Sequence, residues 1–133
     1  MIHIPIVHQK YADLILSGKK TAELRLTRNR IVPFGRVFSG DRLYFKIASG
    51  PICASAGVQR VETFEGLTPG EVVRLRHWIN DAVCGDPAFW KFKANARYAT
   101  VVHLCDVQRC DSGPDISRLR AANPRSAWLM FED

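Results

Sequence analysis

The segment ILSGKKTAELRLT, residues 15–27, changes from a helical to a strand-like pattern of apolar residues. Apolar residues repeat at helical spacing before Gly18, and strict alternation of apolar and polar residues begins at Thr21. The first pattern predicts a helix over residues 8–17, and the second predicts a half-buried strand over residues 21–27. Glycine adopts the left-handed backbone that commonly ends a helix, so we expect Gly18 to terminate the first element.

The strand that follows this turn has an apolar and a polar face. Leu24 and Leu26 lie on the apolar face, and Glu23 and Arg25 lie two residues apart on the polar one. Lys20 precedes the strand in the turn. We therefore expect an amine, a carboxylate and a guanidinium to converge near one end of the sheet, on the side opposite the buried leucines. Such a trio can hold a phosphate, pair with the edge of a base or transfer a proton.

The rest of the chain shows a mixed pattern of helices and strands. Residues 67–84 carry the best helix signal, because Thr68, Pro69 and Glu71 form an N-cap, a first turn and a capping box. Further strands are predicted over residues 2–7, 41–48, 53–64, 98–107 and 127–131, with Gly57 as a possible bulge, and a short helix over 87–96. About six strands and two or three helices predict an α+β fold, a small mixed barrel-like sheet with helices packed outside.

Length and composition limit the classes of protein to which the chain can belong. The 133 residues predict one domain over 1–133, and 47% hydrophobic and 24% charged residues exclude disordered and collagen-like chains. No apolar run approaches the roughly 20 residues that span a bilayer, and no basic leader precedes an apolar run. We therefore expect a cytoplasmic protein that is not associated with a membrane.

The cysteines and histidines give no sign of a metal centre. The four cysteines, Cys53, Cys84, Cys105 and Cys110, form no C-x-x-C pair, and no histidine lies near them at zinc-finger spacing. No phosphate-binding glycine loop or dinucleotide fingerprint occurs either. We expect no metal and no cofactor.

Positive charge is concentrated in one segment. The chain carries a net charge of +6, and residues 19–36 hold six bases against one acid, Glu23. Such a block favours an anionic partner, of which nucleic acid is the commonest, although a solvated loop is an equally good interpretation of charge alone. The bases are Lys19, Lys20, Arg25, Arg28, Arg30 and Arg36.

Gly18, Lys20, Glu23 and Arg25 resemble the signature G-x-K-x-x-E-x-R of the ASCH (activating signal cointegrator homology) domain. Other matching positions follow in order along the chain: His8-Gln9, Gly40-Asp41, residues 66–69, Phe89-Trp90 and residues 96–100. The resemblance covers almost the whole chain and implies a PUA-like β-barrel, with a cleft between the barrel and the first helix.

The same resemblance implies RNA or nucleotide ligands, because PUA-like domains commonly bind RNA. Some ASCH members are amidohydrolases of acylated cytidine nucleosides, and others are ribonucleases. The resemblance implies a Lys-x-x-Thr arrangement at this place in the amidohydrolases, whereas here Glu23 stands three residues after Lys20, where the threonine would be. This departure weakens the prediction of deacylation, unless another hydroxyl such as that of Thr21 takes the role.

Two functions remain open from the sequence. The preferred one is an RNA- or nucleotide-binding module, with Lys19, Lys20, Glu23, Arg25, Arg28, Arg30, Arg36 and Tyr98 at its surface. The alternative is a small metal-independent hydrolase with Lys20 as general base, Glu23 orienting water or protonating the leaving group, and Arg25 stabilising an oxyanion. Another interpretation assigns no function to Glu23 and Arg25, which would then form only an ion pair at the protein surface. A protein-interaction module, which the family name implies, is a third possibility, but no exposed amphipathic stripe argues for it, and protein partners stay open. Trp78, Trp90 and Trp128 are expected in the core.

Overall fold

A computed structural model describes all 133 residues as six strands and four helices. Every predicted element is present, with ends shifted by a few residues. An additional short helix lies in the C-terminal segment, where the sequence predicted only a polar loop. The helix was not predicted because it has no apolar stripe. The elements are β1 Ile2–Val7, α1 Gln9–Leu16, β2 Ala22–Thr27, β3 Arg42–Ile47, β4 Ile52–Glu65, α2 Pro69–Val83, α3 Pro87–Phe92, β5 Tyr98–Arg109, α4 Ser117–Ala122 and β6 Trp128–Phe131.

The six strands form one sheet in the order β2-β5-β4-β3-β1-β6. Only β1 and β3 pair in parallel, and the other neighbours are antiparallel. The register between β4 and β5 shifts between Ser55 and Gly57, which confirms the predicted bulge. Although β2 and β1 are far apart in the strand order, Arg25 of β2 donates a hydrogen bond to the Ile6 carbonyl of β1. The sheet therefore curls into a half-barrel whose two ends approach each other.

Two apolar cores lie on opposite faces of the curled sheet. The outer core joins β2 and β5 to α2 and α3, and includes Leu24, Leu26 and Trp90. The inner core lies in the hollow of the sheet and includes Phe45, Val102 and Trp128. The expectation that β2 is half-buried is therefore wrong. Its apolar face packs against α2, and its polar face points into the half-barrel instead of the solvent.

The helix ends that the sequence predicted at Thr68 and Gly18 are present in the structure. Thr68 Oγ1 accepts a hydrogen bond from the Glu71 amide, and the Glu71 carboxylate accepts one from the Thr68 amide, so the capping box is confirmed. Gly18 has φ +84° in the turn after α1. None of the helices has the length and apolarity needed to cross a bilayer.

Two of the three tryptophans occupy the core as predicted. Trp90 and Trp128 are buried, whereas Trp78 is 54% exposed. Trp78 rests against the Phe64 ring, with 5.9 Å between ring centroids. The prediction fails for Trp78 because it precedes Ile79, which belongs to the apolar stripe of α2, and therefore lies outside that stripe.

A buried polar pair ties the last strand to the first. The Trp128 indole N–H donates to Nδ1 of His3 at 3.0 Å. Because the indole only donates, His3 is neutral here and its Nε2–H donates to Asp41 at 2.9 Å. Burial lowers the pKa of His3, against the opposing effect of Asp41.

Candidate functional site

A cavity of about 750 Å³ opens at the seam of the half-barrel, where β2 approaches the end of β1. Its floor includes Glu23, Arg25 and Thr27, the polar face of β2. The other walls come from the end of β1, from α1, from the loop at residues 31–33, from α3 with the residues directly before and after it, and from residues 125–128. Strand β2 and residues 125–128 are about a hundred residues apart in the chain, and the curl of the sheet brings them together.

Arg25 closes the half-barrel with its guanidinium. Nη1 donates to the Ala127 carbonyl at 3.1 Å, and Nη2 donates to the Ile6 carbonyl at 3.0 Å. The guanidinium carbon lies 5.3 Å from the centre of the Trp128 ring, within range of a cation–π contact. A large part of the donor capacity of Arg25 is therefore used to join β2 to β1 and to the segment before β6.

Glu23 is buried beside Arg25 and has an unsatisfied oxygen. Its Oε1 lies 3.4 Å from Arg25 Nε, and its Oε2 lies 4.0 Å from Lys20 Nζ. Neither Glu23 Oε2 nor Arg25 Nε has a hydrogen-bond partner within the protein. A buried polar atom left in this way costs about 1–3 kcal/mol. Glu23 also lines the cavity, so the cavity wall includes a carboxylate that can accept hydrogen bonds.

Lys20 lies behind Glu23 and is not part of the cavity wall. The residue is only 3% exposed, and Nζ donates to the carbonyl of Val83, the last residue of α2, at 2.7 Å. Burial lowers the pKa of Lys20, the carboxylate of Glu23 opposes this effect, and Arg25 adds to it. The amine thus caps the C-terminus of α2, where a cation is favoured, and balances the charge of Glu23.

The remaining predicted residues do not gather around this cavity. Lys19 is exposed in the turn after α1, and Arg36 is exposed in the loop before β3. Arg30 forms an ion pair with Glu65 at 3.2 Å. The basic segment 19–36 therefore does not form one continuous surface.

Arg28 and Tyr98 also lie outside the main cavity wall. Arg28 lines a second, smaller cavity. Tyr98 packs edge-on against the Phe34 ring, with 5.1 Å between ring centroids. Of the eight residues predicted for the site, the structure places two in the cavity wall, Glu23 and Arg25, and a third, Lys20, directly behind them.

Several residues that line the cavity were not predicted. Three further cations do so, Lys10 of α1, Lys93 after α3 and Arg125 before β6, together with Phe92. Lys10 forms an ion pair with Asp86, and burial together with Arg25 lowers the pKa of Lys93. No local sequence pattern distinguishes these side chains from other surface residues, because only the curl of the sheet brings them together.

No group of three or more histidine, cysteine, aspartate or glutamate side chains is arranged so that it could hold a metal ion. The polar groups of the cavity are instead mainly cationic, with Glu23 and Asp86 as its two carboxylates. The arrangement is suited to a ligand that carries both an anionic group and a hydrogen-bond donor.

Comparison with known protein families matches residues 6–112 to the ASCH domain. An ASCH protein from Zymomonas mobilis superposes with a TM-score of 0.64 at 17% identity, covering 94% of this chain and 80% of the other. Hypothetical protein PH0355 superposes with a TM-score of 0.55 at 15% identity, covering 83% of this chain and 100% of the other. At these identities the superpositions show similarity of fold alone. Among curated proteins, no match is found.

Proposed function

The chain belongs to the ASCH domain family, and we propose that its cavity binds a nucleotide, either free or as one unit of a single-stranded RNA. Its α+β half-barrel agrees with the PUA-like fold that the signature predicts. Members of the family are generally RNA-binding or hydrolase-like. The single observation that carries the proposal is the buried, unsatisfied carboxylate oxygen of Glu23 in the cavity wall.

Glu23 is suited to recognising a base. Carboxylates accept hydrogen bonds from the exocyclic amino groups of bases, and Glu23 supplies such a carboxylate in the cavity wall. A cavity of about 750 Å³ lies within the usual range of roughly 300–1,000 Å³ for small-ligand sites. We infer that the base edge meets Glu23 and that apolar lining residues such as Phe89 contact its ring.

The cations around the cavity are suited to a phosphate. Lys93 and Arg125 line the cavity and form no ion pair, whereas Lys10 is paired with Asp86. A phosphate near Lys93 and Arg125 would gain two charge-assisted contacts. Arg25 contributes less to phosphate binding in this scheme, since it already donates to two backbone carbonyls.

Calorimetric titration with AMP, CMP, GMP and UMP, at fixed and stated salt, tests the proposal. We expect the tightest ligand to carry an exocyclic amino group and to bind Glu23→Gln about tenfold more weakly, because a charged acceptor becomes a neutral one. Glu65→Gln is the matched control, since Glu65 is exposed and lies outside the cavity. Thermal melting of both variants establishes that each is folded at the titration temperature. Equal affinities of Glu23→Gln and the wild type would contradict the assignment of Glu23.

A second candidate is hydrolysis of an acylated nucleoside, favoured by the buried carboxylate of Glu23 in the cavity wall beside Arg25. Geometry argues for Glu23 as the base, because Lys20 donates to Val83 and does not line the cavity. Glu23 would take a proton from water as the oxygen attacks the acyl carbon. As the C–N bond breaks, the same proton would pass to the leaving nitrogen.

Turnover of N-acetylcytidine, followed by chromatography of the products, separates binding from hydrolysis. If the chain is an enzyme, Glu23→Gln abolishes turnover, and Lys20→Met shifts the pH profile without removing the base. Turnover that persists in Glu23→Gln would indicate a contaminating enzyme. Absence of turnover in the wild type would leave the binding function as the one supported.

A further inference from the structure

We propose that a second subsite, formed by Arg28 and Arg97, binds the phosphodiester of the nucleotide next to the one in the main cavity. This inference rests on the proposed function and makes the ligand a single-stranded RNA instead of a free nucleotide. It is carried by the charge of a second cavity, by its position beside the first, and by an exposed aromatic ring that lines the first.

The second cavity has a volume of about 440 Å³ and no acidic side chain in its wall. Two arginines and two asparagines line it: Arg28, Arg97, Asn29 and Asn95. Both arginines are exposed, and neither takes part in an ion pair, unlike Arg30 and Arg60, which pair with glutamates. Two guanidinium groups without counterions, accompanied by amide donors, are suited to a phosphate.

The two cavities adjoin along two segments of the chain. Thr27 lines the first cavity and Arg28 the second. Two consecutive residues, with Cα atoms about 3.8 Å apart, therefore each contribute to one of the two cavities. Lys93 lines the first and Asn95 the second. The amide of Arg97 donates to the Thr27 carbonyl at 2.9 Å and holds these two segments together. In this proposal, an RNA strand that leaves the first cavity passes around the end of β2, where these two segments meet, to enter the second.

The N-terminus of α2 supplies little of this charge. Pro69, its first residue, lines the second cavity, but proline has no amide hydrogen. The amide of Glu71 donates to Thr68, and the amide of Thr68 donates to the Glu71 carboxylate. The arginines are therefore the groups that would bind the phosphate.

Phe92 provides a surface for a neighbouring base. It lines the first cavity and is 83% exposed, the most exposed large apolar side chain in the chain. Lys93 Nζ lies 5.4 Å from its ring centre. Exposed aromatic rings beside cations are characteristic of surfaces that bind single strands, because every base can stack on them.

The test compares a nucleoside monophosphate with a fluorescein-labelled RNA octamer over a range of salt concentrations. We expect the octamer to bind wild type more tightly, and Arg28→Ala/Arg97→Ala to weaken octamer binding at least tenfold. The salt slope, the change in log affinity per log salt, should become shallower by about 0.7, since each phosphate of a single strand that the protein neutralises contributes about 0.7 and the subsite binds one phosphodiester. Binding of the monophosphate should not change.

Arg60→Ala/Arg74→Ala is the matched control, because it removes the same charge from exposed positions outside both cavities. It should leave the salt slope nearly unchanged. Phe92→Ala should weaken octamer binding about fivefold or more without altering the slope, since stacking is not ionic.

The outcomes separate this inference from the proposed function. If the monophosphate binds and the Arg28→Ala/Arg97→Ala variant keeps the wild-type slope and affinity for the octamer, the second subsite is refuted and the nucleotide site stands. An equal loss in the control variant also refutes it, because the effect is then one of net charge. If neither ligand binds wild type, the proposed function fails together with the inference.

Discussion

Replacing Lys20 by methionine tests whether its buried amine stabilises the fold as well as the site. Methionine keeps most of the apolar stem and removes the charge. The variant loses a hydrogen bond of 2.7 Å to the Val83 carbonyl, for which about 1.5–3 kcal/mol is typical of a charged donor. It also leaves Glu23 buried with Arg25 as its one neighbouring cation. We expect a loss of about 3 kcal/mol in the free energy of unfolding, near the low end for breaking a buried pair.

Alanine at the same position should cost more. Lys20→Ala also removes three methylene groups from a site that is almost fully buried, at about 0.8 kcal/mol each. The expected total is about 5 kcal/mol. Since small domains have a stability of roughly 5–15 kcal/mol, the alanine variant should be marginal, and methionine is the more informative change.

Urea denaturation at pH 7, followed by far-ultraviolet circular dichroism, measures both effects if the variants share one m value. The double variant Lys20→Met/Glu23→Gln should lose less stability than the sum of its single changes, because the carboxylate is removed along with its counterion. A Lys20→Met protein as stable as wild type would refute the stabilising role of the amine. Strict additivity would show that Lys20 and Glu23 do not interact.

Two further predictions concern the closure of the half-barrel. Arg25→Lys keeps the charge, but an ammonium group cannot donate to both backbone carbonyls with the geometry of the guanidinium. We expect the free energy of unfolding, measured by urea denaturation, to fall by about 2 kcal/mol and the amides of β6 to exchange faster. Unchanged exchange would contradict the role of Arg25 in closing the barrel. Burial lowers the pKa of His3 below its ordinary value of 6.5. Between the folded pKa and 6.5, His3 is therefore mostly protonated in the unfolded chain and mostly neutral in the folded one. The contribution of His3 to stability is therefore complete above pH 6.5 and is lost as the pH falls from 6.5 towards the folded pKa. Proton NMR should show the His3 ring titrating below 6.5, and a midpoint at or above 6.5 would overturn this prediction.

The local elements were predictable because their signals lie between near neighbours in the chain. The apolar stripe of α2 and its capping box lie within residues 68–83, and the structure contains both. Alternation along residues 22–27 likewise predicted β2. The α4 helix was missed because it is short and has no buried residue, so its segment has no apolar periodicity.

The candidate site was predictable only in part. The spacing of Lys20, Glu23 and Arg25 implied that these side chains meet. In the structure, the Glu23 carboxylate lies 4.0 Å from Lys20 Nζ and 3.4 Å from Arg25 Nε. The basic segment, in contrast, suggested one charged surface, but turns and ion pairs distribute its residues over several places. Arg30 is paired with Glu65, and Arg28 lines a separate cavity together with Arg97.

The amino-acid sequence was enough to predict the strands, the helices and the close spacing of the signature residues, because periodicity and capping depend on side chains a few positions apart. The inward orientation of the polar face of β2 became evident only from the folded chain, since it follows from the curl of a sheet whose ends meet through Arg25. The same curl brings residues 125–128 to the opposite wall of the cavity. No local pattern encodes such a contact, because it depends on the packing of both faces of the sheet at once.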